Sequence, residues 1–206
     1  MEEFPLKYIQ KGRNFDEEVY VNVAVHPGTT DEILLIIPGV DGSLDGYKQK
    51  YKTIAENINK KYDATVVRMN NPFNLAHDHC RNLTEVLKYI EWEYDMSKMK
   101  LHIMGHSLGG YMAGTEAYKY DYIDKILLIN PAMRLDFVEM KAFEEGLKNR
   151  KKDKNFILIG SEDPSVIALV KYKDYANFHI VKDANHSFAG KHFKTFINAA
   201  EKYLFS

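Results

Sequence analysis

The chain has 206 residues, which is enough for one domain with a sizeable buried core. Its 28 Lys+Arg residues nearly balance 29 Asp+Glu residues, and 45% of the residues are hydrophobic. This composition argues against a disordered chain, a collagen-like repeat and a polyanionic partner such as nucleic acid. The single cysteine, Cys80, cannot form an intramolecular disulfide, and the sequence starts Met-Glu-Glu without a basic and then apolar leader. We therefore expect a cytoplasmic protein without a signal peptide.

The first predicted element is a strand with one buried face. Valines at positions 19, 21, 23 and 25 alternate with Tyr20, Asn22 and Ala24, a pattern typical of an antiparallel strand that is more buried on one side. Pro27 and Gly28 then end the strand in a turn.

The rest of the chain alternates between apolar runs and helical patterns. The apolar runs do not alternate with polar residues and are typical of parallel strands covered on both faces; they cover residues 33–37, 64–68, 101–104, 126–129, 156–159 and 178–181. Apolar residues at helical spacing occupy residues 47–58, 83–94 and 189–204. The longest runs are about strand length, so no membrane span is expected. The sequence predicts one α/β domain over residues 1–206, with a mainly parallel sheet, an antiparallel N-terminal portion and helices on both faces.

The segment around Ser107 predicts a nucleophile. The strand at 101–104 runs into Gly105-His106-Ser107-Leu108-Gly109, and a helix is predicted directly after it. A serine on so tight a turn has a strained backbone, and the residues two before and two after it must be small so that strand and helix can approach. The turn places the next backbone N–H groups at a helix N-terminus, where partial positive charge favours an oxyanion. A chance glycine-flanked serine is the alternative reading.

A serine hydroxyl needs a base and a group that orients the base, and both are expected at later strand ends. His186 lies in the loop before the last predicted helix, which makes it the candidate base. Asp163 lies just past the preceding predicted strand and is the favoured acid, with Glu162 and Asp183 as rivals. His106, next to the serine, is expected to pack and to point away from the position of the base.

The order Ser107, Asp163, His186 resembles the α/β-hydrolase superfamily, and the resemblance covers essentially the whole chain. In that family the acid lies in a G-x-x-D-x-x-V-like turn, which Gly160, Asp163 and Val166 match. The resemblance implies an α/β-hydrolase fold, and the short segment after the strand at 126–129 predicts a minimal cap. The resemblance also implies that the backbone N–H of Leu108 is one donor to the oxyanion, and that the second comes from the loop after the strand at 33–37.

That loop, residues 38–43, departs from the family pattern. Many members have His-Gly at its start, whereas this chain has Pro38-Gly39. Because the donor is a backbone N–H, the exchange does not remove it, and by position the second donor is Val40. Gly39 is expected to let the loop approach the substrate, with Asp41 or Ser43 in contact with it. Phe73 is a candidate for the rim of the site, with an ordinary loop anchor as the alternative.

The resemblance implies a serine hydrolase that acts on a small-molecule substrate through an acyl-serine intermediate. Short- to medium-chain carboxylic esters or thioesters are favoured, because an open site buries a long acyl chain poorly. About two dozen residues separate the strand at 126–129 from the next one, too few for a large lid domain, so the pocket is expected to be open. An acyltransferase, a lyase or a peptidase could use the same three residues, and a non-catalytic binding protein on this scaffold is a further alternative.

No cofactor, metal or membrane is expected for this function. His77, Asp78, His79 and Cys80 offer metal-type ligands, but adjacent residues of one short loop rarely converge on one ion. The sequence does not determine the oligomeric state.

Overall fold

The computed structural model describes residues 1–12, 15–74, 76 and 78–206. Within these residues a central sheet has the strand order β1-β2-β4-β3-β5-β6-β7-β8. The strands are β1 (Glu2–Gln10), β2 (Glu17–His26), β3 (Glu32–Ile37), β4 (Thr65–Met69), β5 (Lys100–His106), β6 (Ile123–Ile129), β7 (Asn155–Gly160) and β8 (Asn177–Val181). The helices are α1 (Lys50–Tyr62), α2 (Cys80–Glu93), α3 (Leu108–Glu116), α4 (Met140–Lys148), α5 (Val166–Leu169), α6 (Phe193–Ile197) and α7 (Ala199–Leu204).

The sheet is parallel from β4 to β8 in spatial order and antiparallel at its N-terminal edge. β1 pairs antiparallel with β2, and β2 pairs antiparallel with β4. The other neighbours run parallel, so the carboxyl ends of β3, β5, β6, β7 and β8 lie along one edge. The predicted fold class, a mainly parallel sheet with an antiparallel N-terminal portion, is confirmed.

Helices cover both faces of the sheet and create two cores. Ile33, Leu35 and Ile37 of β3 pack into one core together with residues of α2, α3 and α4. Leu34 and Ile36 of the same strand pack into the other core with residues of α1, α6 and α7. Because successive side chains of a strand point to opposite faces, a strand between two cores must be apolar at every position. This is the physical reason for the unbroken apolar runs.

Three parts of the fold differ from the predictions made from sequence. β8 has β7 as its one neighbour in the sheet, and His179 and Ile180 are exposed, so the prediction that both of its faces are covered is wrong. The predicted helix over 189–204 is divided into α6 and α7 by a turn at Asn198. β1 was not predicted, although Phe4, Leu6 and Tyr8 alternate with polar residues or proline as an edge strand requires.

The segment after β6 packs against α3. Residues 130–154 contain α4, which lies against α3 so closely that a Cβ at Gly146 would come within 2.0 Å of the carbonyl oxygen of Gly114. In the part of the chain that the structure describes, no helix combines the length and apolar character that a membrane span needs.

Candidate active site

Ser107 lies at the turn between β5 and α3, with a backbone φ of 56° and ψ of −120°. Residues other than glycine rarely adopt this backbone conformation, so the surrounding structure must hold Ser107 in it. The Ser107 N–H donates to the carbonyl of Ile129 on β6 at 2.9 Å. Glycine is required on both sides: a Cβ at Gly105 would lie 2.3 Å from the carbonyl oxygen of Gly109, and one at Gly109 would lie 2.4 Å from that of Ile37.

Three side chains from three strand ends form a hydrogen-bonded chain at this turn. His186 Nε2 lies 2.9 Å from Ser107 Oγ, and His186 Nδ1 lies 2.5 Å from Asp163 Oδ2. Asp163 is 1% exposed, and its Oδ1 accepts the backbone N–H of Ser165 at 2.7 Å. Because an ionised carboxylate only accepts, Nδ1 carries the proton of a neutral His186, and Nε2 is free to accept the proton of the Ser107 hydroxyl.

The two rival acids are placed elsewhere. Glu162 is exposed, and its backbone N–H donates to the carbonyl of Ala184. Asp183 is exposed as well, with its Oδ2 3.3 Å from Lys191 Nζ. The structure therefore puts Asp163 against His186, at the carboxyl end of β7.

Asn130, directly after β6, connects the end of β7, which precedes Asp163, to the loop that carries His186. Its Nδ2 donates to the carbonyl of His186 at 2.7 Å and to that of Asn185 at 3.2 Å. Its Oδ1 accepts the N–H of Gly160, at the end of β7, at 2.8 Å. Sequence reasoning missed this residue, although a polar side chain directly after a parallel strand was a signal for it.

His106 lies beneath His186 and contacts its backbone. Its Nε2 is 3.1 Å from the carbonyl oxygen of His186, and its Nδ1 is 3.0 Å from the Tyr51 hydroxyl. Because a carbonyl oxygen only accepts, Nε2 carries the proton and Nδ1 accepts from Tyr51. Burial lowers the pKa of His106 well below its ordinary value, and the charge of Lys50 adds to this effect. His106 is therefore a neutral packing residue that supports the His186 loop.

The loop after β3 approaches Ser107 closely. A Cβ at Gly39 would lie 3.1 Å from Ser107 Cβ and 3.3 Å from Oγ, so the loop backbone is next to the nucleophile. Leu108 is the first residue of α3, and the first N–H groups of a helix have no acceptor within it. Val40 lines the same pocket as Ser107. That the N–H groups of Val40 and Leu108 bind an oxyanion stays a prediction.

Asn71 braces this loop. Its backbone N–H donates to the carbonyl of Gly42 at 3.0 Å, and its carbonyl accepts the N–H of Asp41 at 2.8 Å. Its side-chain Nδ2 donates to the carbonyl of Pro38 at 3.2 Å. One asparagine thus holds both ends of the loop, a role that the sequence did not predict.

A buried chain of polar groups supports Asn71 from behind. Asn82 Nδ2, on α2, donates to Asn71 Oδ1 at 2.8 Å and to the carbonyl of Pro72 at 2.9 Å. Asn82 Oδ1 accepts the hydroxyl of Tyr8, on β1, at 2.6 Å. Asn71 and Asn82 are fully buried, so water does not reach their polar groups. The hydrogen bonds of this chain satisfy these groups instead.

Asp41 and Phe73 contact each other. Asp41 Oδ1 accepts the backbone N–H of Phe73 at 2.8 Å, and the Phe73 ring centroid lies 5.2 Å from that of His79. Among the described residues that line the pocket beside Ser107, Gly39 and Val40 are present, whereas Asp41 and Phe73 are not. Their roles as substrate contacts stay predictions.

The pocket beside Ser107 has a volume of about 340 Å³. This lies at the lower end of the range of about 300–1,000 Å³ for small-molecule sites. The pocket is lined by Gly39, Val40, Gly42, Ser43, Gly46, Tyr47, Lys50, Tyr51, His106, Ser107 and His186. Lys50, Tyr47 and Tyr51 were not among the sequence-predicted site residues.

The loop before α2 shows no metal-ligand geometry in its described part. In residues 1–12, 15–74, 76 and 78–206, no three His, Cys, Asp or Glu side chains converge as metal ligands would, and His77 lies outside these residues. The His79 ring packs with its centroid 5.0 Å from that of Phe137. Burial raises the pKa of the Cys80 thiol to about 12, so the thiolate that a metal needs is disfavoured.

The fold is shared with known structures at low sequence identity. Est1E from Butyrivibrio proteoclasticus superposes with a TM-score of 0.70 at 13% identity, over 97% of each chain. The chain has the α/β-hydrolase fold. Dienelactone hydrolase from Anabaena variabilis superposes with a TM-score of 0.69 at 15% identity, over 98% of this chain and 97% of that one. XC6422 from Xanthomonas campestris, an α/β serine hydrolase without a lid, gives 0.65 at 16% identity, over 98% and 94%.

No protein-family model matches the sequence, and no curated protein matches it by sequence comparison. The likeness to solved structures therefore carries the fold assignment.

Proposed function

We propose that this α/β-hydrolase-fold protein is a serine hydrolase that cleaves carboxylic esters or thioesters of short to medium acyl chain length through an acyl-serine intermediate. The observation that carries the proposal is the hydrogen-bonded chain from Ser107 Oγ through His186 to the buried carboxylate of Asp163. The solved structures with the same fold include proteins named as a dienelactone hydrolase and an α/β serine hydrolase, which supports the same class of chemistry.

The first step is attack of Ser107 Oγ on the substrate carbonyl carbon. His186 Nε2 accepts the hydroxyl proton as the new C–O bond forms. The imidazole becomes positively charged, and the Asp163 carboxylate, 2.5 Å from Nδ1, stabilises that charge and keeps the ring in its orientation. Asn130 and His106 hold the backbone carbonyl of His186, so the ring does not have to be ordered at the moment of reaction.

The tetrahedral intermediate places negative charge on the former carbonyl oxygen. The N–H of Leu108, at the start of α3, and that of Val40, on the loop next to Ser107, are the proposed donors. The intermediate collapses as His186 returns the proton to the leaving oxygen or sulfur. Water then attacks the acyl-serine by the same route in reverse and releases the carboxylic acid.

Pocket size supports small acyl groups. A volume of about 340 Å³ limits the apolar surface that a substrate can bury, and affinity for an acyl chain grows with buried apolar area. The segment after β6 packs on α3 and adds no large cap over the pocket, so a long acyl chain would stay largely in water. Short and medium chains are favoured for this reason.

The test combines a fluorophosphonate probe with 4-nitrophenyl esters of graded chain length. We expect the probe to label Ser107, and we expect Ser107→Ala to lose labelling and to lower kcat by about 10⁶, as in other triads. Ser97→Ala is the matched control, because Ser97 is exposed and precedes β5 at the opposite end of the sheet. Labelling without turnover would favour an acyltransferase or lyase, and absence of labelling would favour a binding protein. Ester hydrolysis that survives Ser107→Ala would contradict the proposal.

A further inference from the structure

Lys50 is a buried cation in the wall of the candidate active site. It is the first residue of α1, and it lines the same pocket as Ser107 and His186. The residue is only 5% exposed. Lysine is rarely buried to this degree unless its charge is paired, because removing an ammonium from water is costly.

Within the described residues, Lys50 Nζ has no carboxylate partner. The ammonium lies 4.2 Å from the ring centroid of Phe196 and 5.0 Å from that of Tyr51, and both are cation–π contacts. Burial lowers the pKa of Lys50 to about 8, with no acidic neighbour to raise it again. The group is still mostly protonated at pH 7, so a positive charge without a counterion borders the pocket.

The other polar groups of the pocket do not neutralise this charge. The described lining residues include no aspartate or glutamate. His106 is neutral, since burial lowers its pKa, and burial raises the pKa of Tyr51, which stays protonated. The pocket therefore has a positive potential that an anion would satisfy.

The wall that carries Lys50 is held in place by the rest of the structure. Asp45, the nearest acid in sequence, pairs with the fully buried Arg68: Arg68 Nη1 lies 2.6 Å from Asp45 Oδ1. Arg68 Nη1 also donates to the carbonyl of Leu44 at 2.9 Å. Gly46, at φ 68°, leaves room for the first residues of α1, because a Cβ there would lie 2.5 Å from Tyr51 Cδ2 and 3.1 Å from Lys50 Cγ. Asp45 is thus paired with Arg68 and is not a counterion of Lys50.

We propose that Lys50 is a specificity residue that binds an anionic group of the substrate, so that the enzyme prefers esters or thioesters carrying a carboxylate. This inference rests on the proposed function, because it assigns a substrate class to the same site. The carboxylate would lie on the acyl part or on the alcohol part, whichever occupies the pocket. Lys50 binds this group and takes no part in proton transfer.

The expected preference for an anionic substrate follows from the strength of a charge-assisted hydrogen bond in a partly buried site. Such a bond contributes enough to change kcat/KM by about 10- to 100-fold between a carboxylate and a neutral group of the same shape. The effect should appear mainly in KM, since the contact is made in the ground state and the transition state alike.

The experiment uses two matched substrate pairs. In the acyl arm, mono-4-nitrophenyl adipate is compared with the 4-nitrophenyl ester of the corresponding half-amide. In the alcohol arm, 4-carboxyphenyl butanoate is compared with 4-carbamoylphenyl butanoate. We expect kcat/KM to be at least about 10-fold higher for the anionic member in one arm. We expect Lys50→Met to abolish that preference, so that kcat/KM for the anionic member falls to that of the neutral member.

Lys48→Met is the matched control, because Lys48 is exposed, two residues away, and not part of the pocket lining. It should leave the preference intact. Lys50→Met should fold, since methionine has similar length and removes an unpaired buried charge, and urea unfolding checks this. Fluorophosphonate labelling of Lys50→Met tests whether Ser107 is still reactive in that variant.

The outcomes separate the two proposals. If the wild-type protein hydrolyses neutral esters but prefers the anionic member in neither arm, the role of Lys50 is refuted and the hydrolase stands. The same holds if the preference survives in Lys50→Met. If Ser107 is not labelled and no ester of either pair is hydrolysed, both proposals fail.

Discussion

Replacing Asn82 with leucine tests whether the buried polar chain from Tyr8 to Asn71 holds the loop next to Ser107. Asn82 makes three hydrogen bonds in the core: to Asn71 Oδ1 at 2.8 Å, to the carbonyl of Pro72 at 2.9 Å and from the Tyr8 hydroxyl at 2.6 Å. Leucine has a similar volume and makes none of them. The change leaves the packing nearly filled and removes the polar connection between α2 and the loop.

The expected cost is worked from these three bonds. Each contributes about 1 kcal/mol net, and a buried group left without a partner costs about 1–3 kcal/mol. We expect Asn82→Leu to lower the free energy of unfolding by about 3–5 kcal/mol, a large part of the roughly 5–15 kcal/mol of a typical domain. Tyr8→Phe removes one donor and leaves Asn82 Oδ1 unpaired, for about 1–2 kcal/mol.

Urea unfolding of the wild type, both single variants and the double variant gives the coupling free energy between Tyr8 and Asn82. Once Asn82 is leucine, the Tyr8 hydroxyl has lost its acceptor, so Tyr8→Phe should then cost little. The coupling energy should therefore be about 1–2 kcal/mol. Ester hydrolysis by Asn82→Leu should also fall, because Asn71 then holds the loop less firmly. Leu87→Ala, a core change on the same helix with a cost of about 2–5 kcal/mol, is the control for destabilisation alone.

Two results would refute this reasoning. One is additivity of the single changes to within about 0.5 kcal/mol, which would mean that the two side chains act independently. The other is an equal loss of kcat in Leu87→Ala and Asn82→Leu under folding conditions. In that case the loop would depend on general stability and not on the polar chain.

Three further predictions concern Asp163, His102 and Cys80. Asp163→Asn should lower kcat by about 10⁴ through the wrong imidazole tautomer, with labelling slowed but the fold retained; wild-type kcat would contradict the assigned orientation of His186. Burial lowers the pKa of His102 to about 4 from an ordinary value of 6.5, so the unfolded chain binds the proton first and stability is lost as the pH falls from 6.5 to 4. This loss is about 3 kcal/mol, and urea midpoints between pH 7.5 and 4.5 should fall less steeply in His102→Leu than in the wild type. Burial, helped by the charge of Glu116, raises the pKa of Cys80 to about 12. Iodoacetamide at pH 8 should therefore react at least about 100-fold more slowly with the native protein than with the protein unfolded in urea. Equal rates would refute the burial argument.

Much of the architecture could be predicted because its signals are local. Unbroken apolar runs identified β3 to β7, since strands between two cores are apolar at every position. The glycines around Ser107 identified the turn, because any side chain there meets backbone within 2.4 Å. The same patterns placed Asp163 and His186 after neighbouring strands. They did not show that β8 is half exposed, since burial of an edge strand depends on what covers it.

The sequence by itself determined the strands from β2 to β8, the strained turn and the three polar side chains at strand ends, because each depends on residues close together along the chain. Only the tertiary structure decided which groups support them. Asn130 contacts a carbonyl 56 positions away, and Tyr8 and Asn82 are separated by 74. Lys50 likewise borders the pocket because α1 begins beside β5 in space. Such contacts join distant segments, so they exist only once the sheet and its helices have packed.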